Sequence, residues 1–180
     1  MSKYVLVFLI KGKPGIYLHN LTSKLSKQFR VKNVFKRIPP HVTLKYIGEI
    51  KSETKIKELI FLLKNFIKGQ GKIKIHLRGI GYFDKRVIFV KVLKTKQLIE
   101  FYNELCEELK KLKWMPCRKY ERKQIKFHLT LAKGNIKAKF QKILEYLSNK
   151  NLDYSVFIDK MILMKYENQK WRIYKSFDLR

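Results

Sequence analysis

The 180 residues include 42 Lys plus Arg against 14 Asp plus Glu, a formal charge of +28 and a pI near 10.1. A chain of this length makes one large domain or two small lobes and buries about 70% of its extended surface on folding, so a true core is available. The charge favours polyanions, RNA and DNA first among them. Two cysteines, Cys106 and Cys117, with no Cys-x-x-Cys exclude a disulfide scaffold and suit a cytoplasmic setting.

Tyr4 to Ile10 is a short apolar run, followed at once by Lys11 and Lys13. It reads as a strand covered on both faces, too short for a signal core or a membrane span. The segment Lys-Gly-Lys-Pro-Gly at 11–15 ends it, and Leu18, Leu21, Leu25 and Phe29 recur at helical spacing with His19 among them. A basic connector with Arg30, Lys32, Lys36 and Arg37 leads to Pro39-Pro40, which forces extended geometry directly before His41. Gly48-Glu49 closes that strand. Ser52 then caps a helix whose stripe is Ile56, Leu59, Ile60, Leu63, Phe66 and Ile67.

Residues 72–78 alternate polar and apolar, a half-buried strand with His76 and Arg78 on its polar face. Gly79-Ile80-Gly81-Tyr82-Phe83 continues it as a kinked end turning through Asp84-Lys85. Val87 to Leu93 is a further strand, and Thr95 caps a helix with Leu98, Ile99, Tyr102, Leu105, Cys106, Leu109 and Leu112 on one side. Glu100, Glu104, Glu107 and Glu108 form its solvated side. From Lys110 to Lys126 eight of seventeen residues are basic, with Trp114 and Tyr120 interleaved, a pattern suited to phosphates and stacked bases. Phe127 to Lys133 is a strand ended by Gly134, and Asn135 is placed to cap a helix bearing Phe140, Ile143, Leu144 and Leu147. Val156 to Tyr166 and Trp171 to Phe177 close the chain as two strands joined by the turn 167–170.

Two of these strands begin alike. His41-Val42-Thr43-Leu44 and His128-Leu129-Thr130-Leu131 both read His, apolar, Thr, apolar. Alternation along a strand puts His and Thr on one face and the apolar pair on the other. At the chain's His and Thr content roughly 0.11 such triplets are expected by chance, so two are not an accident. An isolated strand histidine is ordinarily a satisfied polar residue; a matched pair, near half the chain length apart in a +28 protein, is not. Strand, helix, His-x-Thr strand, helix and strand occur twice, so two lobes facing a shared cleft are expected within one 1–180 domain.

Two imidazoles can take a proton from one oxygen of a phosphodiester and give one to another without a metal. Threonine hydroxyls and nearby Lys or Arg can hold the non-bridging oxygens, where charge rises in the transition state. Covalent catalysis lacks an orienting acid at a telling spacing, and no metal-ligand pattern occurs.

Pro40-His41-Val42-Thr43-Leu44-Lys45-Tyr46-Ile47-Gly48-Glu49, then Gly79 to Phe83 with Arg86 to Val90, then His128 to Ala132, resemble the motifs of the 2H phosphoesterase superfamily. Within it the likeness is to the RNA 2',3'-cyclic phosphodiesterases, also called 2'-5' RNA ligases. The resemblance implies an α+β bilobal fold, two antiparallel sheets with helices on the outer faces and a central cleft. It implies hydrolysis of terminal 2',3'-cyclic phosphates to 2'-phosphates, a weaker 2'-5' joining, no cofactor and no metal. His41 and His128 would be catalytic, with His128 activating water and His41 protonating the 3' oxygen, although the near symmetry of the motifs leaves that order open. Thr43, Thr130 and Lys133 would bind phosphate, and Lys45, Arg118, Tyr120, Arg122 and Lys126 would contact RNA. The expected partner is RNA with cyclic-phosphate ends, tRNA fragments among the candidates, bound by a monomer with no membrane association. Phe127 stands where the family usually has Pro, and Lys133 where it commonly has Arg, which keeps charge but loses the bidentate fork. A non-catalytic RNA-binding module and a small cyclic-nucleotide phosphodiesterase are the competing readings.

Overall fold

The computed structural model describes residues 2–115 and 125–180. In chain order the elements are β1 Ser2–Leu9, α1 Gly12–Phe29, β2 His41–Ile50, α2 Glu53–Ile67, β3 Ile73–Phe83, β4 Val87–Val92, α3 Lys96–Lys110, β5 His128–Lys133, α4 Phe140–Ser148, β6 Asp153–Ile158, β7 Lys160–Glu167 and β8 Lys170–Asp178. They form the α+β arrangement expected, with strand orders β2-β1-β7-β8 and β5-β4-β3-β6, every pairing antiparallel. Both His-x-Thr strands lie at the edge of their sheets, each beside the strand that precedes it across a helix.

Local chemistry explains most boundaries. The Ser52 hydroxyl accepts from the Lys55 amide at 3.4 Å and Thr95 from the Leu98 amide at 3.2 Å, so both expected caps are in place. Asn168 and Gln169 take φ of 47° and 62°, the two left-handed residues that a two-residue hairpin needs between β7 and β8.

Two expectations are corrected. The run Val156 to Tyr166 is not one strand: β6 and β7 belong to different sheets and divide at Asp159, whose carbonyl accepts from the Leu179 amide at 2.8 Å. No glycine or proline marks the break; the only sign is a change from alternating burial in β6 to a continuous buried run in β7. Nor does Asn135 cap α4. Ile136 is fully buried and a short 3-10 turn over 137–139 intervenes, so the helix starts only at Phe140.

One apolar cluster joins both sheets to all four helices, including Leu6 and Phe8 of β1, Leu18 and Leu25 of α1, Leu59 and Leu63 of α2, Val90 of β4 and Leu105 of α3. The opposite face of β1 carries Val5, Val7 and Leu9, which pack on Ile162 and Met164 in a second cluster. That central strand is therefore buried on both sides, as its unbroken apolar run implies.

Candidate active site

Each His-x-Thr strand is anchored at its first residue. Ahead of β2, the Pro40 carbonyl accepts from the Ile10 amide at 2.8 Å; ahead of β5, the Phe127 carbonyl accepts from Val92 at 3.3 Å. Phe127 is only 4% exposed and meets Tyr102 edge-on at 5.1 Å. Burial of a ring thus holds the second strand where a proline pair holds the first. In both cases the backbone two residues before the histidine becomes its partner: the Pro39 carbonyl lies 2.7 Å from His41 Nδ1, and the Lys126 carbonyl 2.7 Å from His128 Nδ1. A carbonyl can only accept, so each Nδ1 carries the proton and each neutral ring presents Nε2 as its free lone pair.

Register fixes which way these groups face. His41 pairs with Leu9 and Thr43 with Val7, on the face turned from α1 and α2. His128 pairs with Lys91 and Thr130 with Phe89, again on the face opposite the helix-packed core. All four side chains are half-buried. The two edge strands β2 and β5 approach each other although they belong to different sheets. His128 is close enough to His41 to depress its protonation, and Lys133 acts on both rings.

The electrostatics favour neutral imidazoles in a site without an anion. Burial pushes the His41 pKa down to about 4; the bond to Pro39 opposes that shift, while Lys133 and His128 add to it. His128 is lowered as well, first by burial and then by Lys133, against the opposing bond to Lys126. Lys133 is itself lowered, by burial and by the cation Lys32. No acidic side chain among the described residues pairs with Lys133, and no described protein group bonds the Thr43 or Thr130 hydroxyl. The two hydroxyls and the Lys133 ammonium are donors that suit an anion, and the two Nε2 atoms stand ready to take or return a proton beside it.

Both strands share an irregularity. Lys45 pairs with Leu6 but Thr43 with Val7, leaving Leu44 as an extra residue; Ala132 pairs with Ile88 but Thr130 with Phe89, leaving Leu131 as its counterpart. The bulge returns Lys133 to the histidine face and turns Lys45, its neighbour's counterpart, inward. Lys45 is 5% exposed, so it is withdrawn from the surface set expected to contact RNA. Lys126 keeps an exposed side chain beside the site. Trp114 is occupied: its Nε1 donates to Glu58 at 2.9 Å and Lys55 lies over its ring. Arg118, Tyr120, Arg122 and Cys117 lie outside the described residues.

Phe83 and Phe89 fall in the motif segments of the sequence but were given no site role there, and their rings stand 5.0 and 5.1 Å from that of His128. A Cβ on Gly81 would lie 2.5 Å from Phe89, so that glycine makes room for the ring. Sequence reasoning also left Lys32 out of the site, since an aperiodic connector gives no facing direction.

Fold and site together set two antiparallel sheets side by side, with one histidine from each of two edge strands that approach each other. A family model described as the 2'-5' RNA ligase superfamily matches residues 17–170, and the chain belongs to that superfamily. Among solved structures it is similar to TT0787 of Thermus thermophilus (17% identity, TM-score 0.68, covering 99% of this chain and 98% of that one). It is similar to E. coli LigT complexed with 3'-AMP (15% identity, TM-score 0.67, 99% and 98%). Usb1 of Kluyveromyces marxianus is more distant (10% identity, TM-score 0.50, 99% and 97%). At these identities the likeness is one of fold. No curated protein sequence matches the chain.

Proposed function

We propose that the protein is an RNA 2',3'-cyclic phosphodiesterase that opens terminal cyclic phosphates to 2'-phosphates, with 2'-5' joining, in which a 5'-hydroxyl replaces water as the nucleophile, as a weaker activity. Water attacks phosphorus as His128 Nε2 takes its proton; the bond from phosphorus to the 3' oxygen breaks as His41 Nε2 delivers a proton to that oxygen. Attack and departure occur on opposite sides of phosphorus, and the two rings reach it from opposite strands. Thr43, Thr130 and Lys133 hold the non-bridging oxygens. The order of roles follows the family resemblance, and both rings carry the same tautomer with Nε2 available for proton transfer. We take each lobe, with its His-x-Thr strand and matching bulge, as one copy of an ancestral duplication.

The observation that carries this reading is the matched pair of bonds from Nδ1 to the carbonyl two residues earlier, which leaves both Nε2 atoms free on facing strands. The substrate is RNA rather than a small cyclic nucleotide because the chain's charge of +28 far exceeds what one phosphate needs. The test is incubation with an oligoribonucleotide ending in a 2',3'-cyclic phosphate, with and without a chelator. A 2'-phosphate product formed at equal rate in both is expected; binding without any product supports the non-catalytic module instead.

A further inference from the structure

The helices cover one face of each sheet, and the two opposite faces differ in character. On the first sheet that face buries Val5, Val7, Leu9, Ile162 and Met164, with His41 and Thr43 at its β2 edge. On the second it is cationic. Register leads from His128 to Lys91 on β4, and the same face continues on β3 and β6 through the pairs Arg78 with Asp153, His76 with Ser155 and Lys74 with Phe157. Lys74, Arg78 and Lys91 are exposed. Two apolar side chains stand open among them, Leu93 at 40% and Phe157 at 69%. The Lys74 ammonium lies 5.7 Å over the Phe157 ring, and Ser155 Oγ bonds His76 Nδ1 at 2.9 Å. The acid among these pairs, Asp153, is matched by Arg78 Nε at 3.3 Å, so the remaining lysines are in excess.

A cavity of about 490 Å³ opens on this face, lined by Phe83, Phe89, Lys91, Leu93, Lys94 and Lys126 among others. Phe83 and Phe89 also flank His128, so cavity and reacting centre share a wall. The distance from β5 to β6 is three strand spacings, about 14 Å. Cations interleaved with open rings on such a surface match a single strand, whose bases are free to stack; a duplex would offer Phe157 nothing.

We propose that the face of the second sheet opposite the helices is the track for the single-stranded RNA body that leads to the terminal phosphate. The nucleotide next to the end fills the cavity with its phosphate on Lys91, Lys94 and Lys126. The chain then crosses β3 and β6, where Lys74 meets a phosphate and Phe157 a base. The inference rests on the RNA-end reading above and adds where the rest of the substrate lies.

The test compares wild type with the double variant Lys74→Glu, Lys94→Glu and with Phe157→Ala. Substrates are a cyclic-phosphate oligoribonucleotide and a 2',3'-cyclic mononucleotide. For the oligonucleotide the double variant raises KM about tenfold or more with kcat unchanged, and its salt slope falls by about 1.4 for two lost phosphate contacts. Phe157→Ala raises KM about fivefold or more. On the mononucleotide all three proteins are equal. An unchanged oligonucleotide KM, or an equal loss on both substrates, overturns the track. If wild type turns over neither substrate the catalytic reading has failed, and fluorescence anisotropy with a 3'-phosphorylated oligoribonucleotide reads the track alone: weaker, less salt-dependent binding by the double variant supports it, and equal binding overturns it.

Discussion

At the scale of single residues, His41 and His128 share one tautomer because each Nδ1 faces a carbonyl 2.7 Å away. Both rings are held below their ordinary pKa, so at pH 7 the imidazoles are neutral and the positive charge beside them is lysine's. An anion bound between them returns a proton to one ring. Binding of a 2'-phosphorylated mononucleotide therefore takes up a proton near pH 7 and weakens as pH rises, which calorimetry in buffers of different ionisation enthalpy reads directly. The same displacement acts on stability. In the unfolded chain His41 titrates near 6.5, in the folded protein at about 4. Between those values the unfolded state binds a proton that the folded state refuses, so stability falls as pH drops from 6.5 toward 4. Thermal melts should show that fall, and His41→Asn should flatten it. The His-Thr pairs were legible because a strand's period of two needs no tertiary knowledge. Lys45 was not, because the bulge at Leu44 reverses the period one residue later.

At the scale of elements, two glycines carry most of the geometric constraint. A Cβ on Gly15 would lie 2.2 Å from the Ile10 carbonyl oxygen, so α1 seats against the end of β1 only with glycine there. Gly15→Ala should cost about 1 to 3 kcal/mol, measured by urea denaturation. Gly81→Ala acts differently. Its Cβ would press the Phe89 ring, which stands beside His128, so turnover should fall by more than stability does. A variant whose melting temperature drops while its activity per folded molecule stays native would contradict that coupling. Caps at Ser52 and Thr95 were readable because side-chain caps are local. The break at Asp159 was not, since the strand changes sheets without turn residues and only the sheet partners decide it.

At the scale of the molecule, the chain is interleaved: β1, β2, β7 and β8 from its two ends make one sheet, and its middle makes the other. The order of strands and helices was legible in the sequence, but not that the last two strands return to the first sheet, because pairing of β7 with β1 is a long-range choice. Removing residues 160–180 should leave β1 without its β7 neighbour and abolish cooperative unfolding, as followed by circular dichroism. The cationic excess has the matching consequence that oligonucleotide affinity falls steeply with salt. Above all of this stands the proposal that the two edge strands, which approach each other, grip one phosphate between them. The most direct test is single-turnover cleavage of a cyclic-phosphate oligoribonucleotide by His41→Ala, His128→Ala and the double variant. The expected result is a loss of roughly 10²- to 10⁴-fold for each single variant. The double variant should fall far short of the product of the two losses, as for groups acting as a unit. Near-native turnover by either folded single variant would contradict the account.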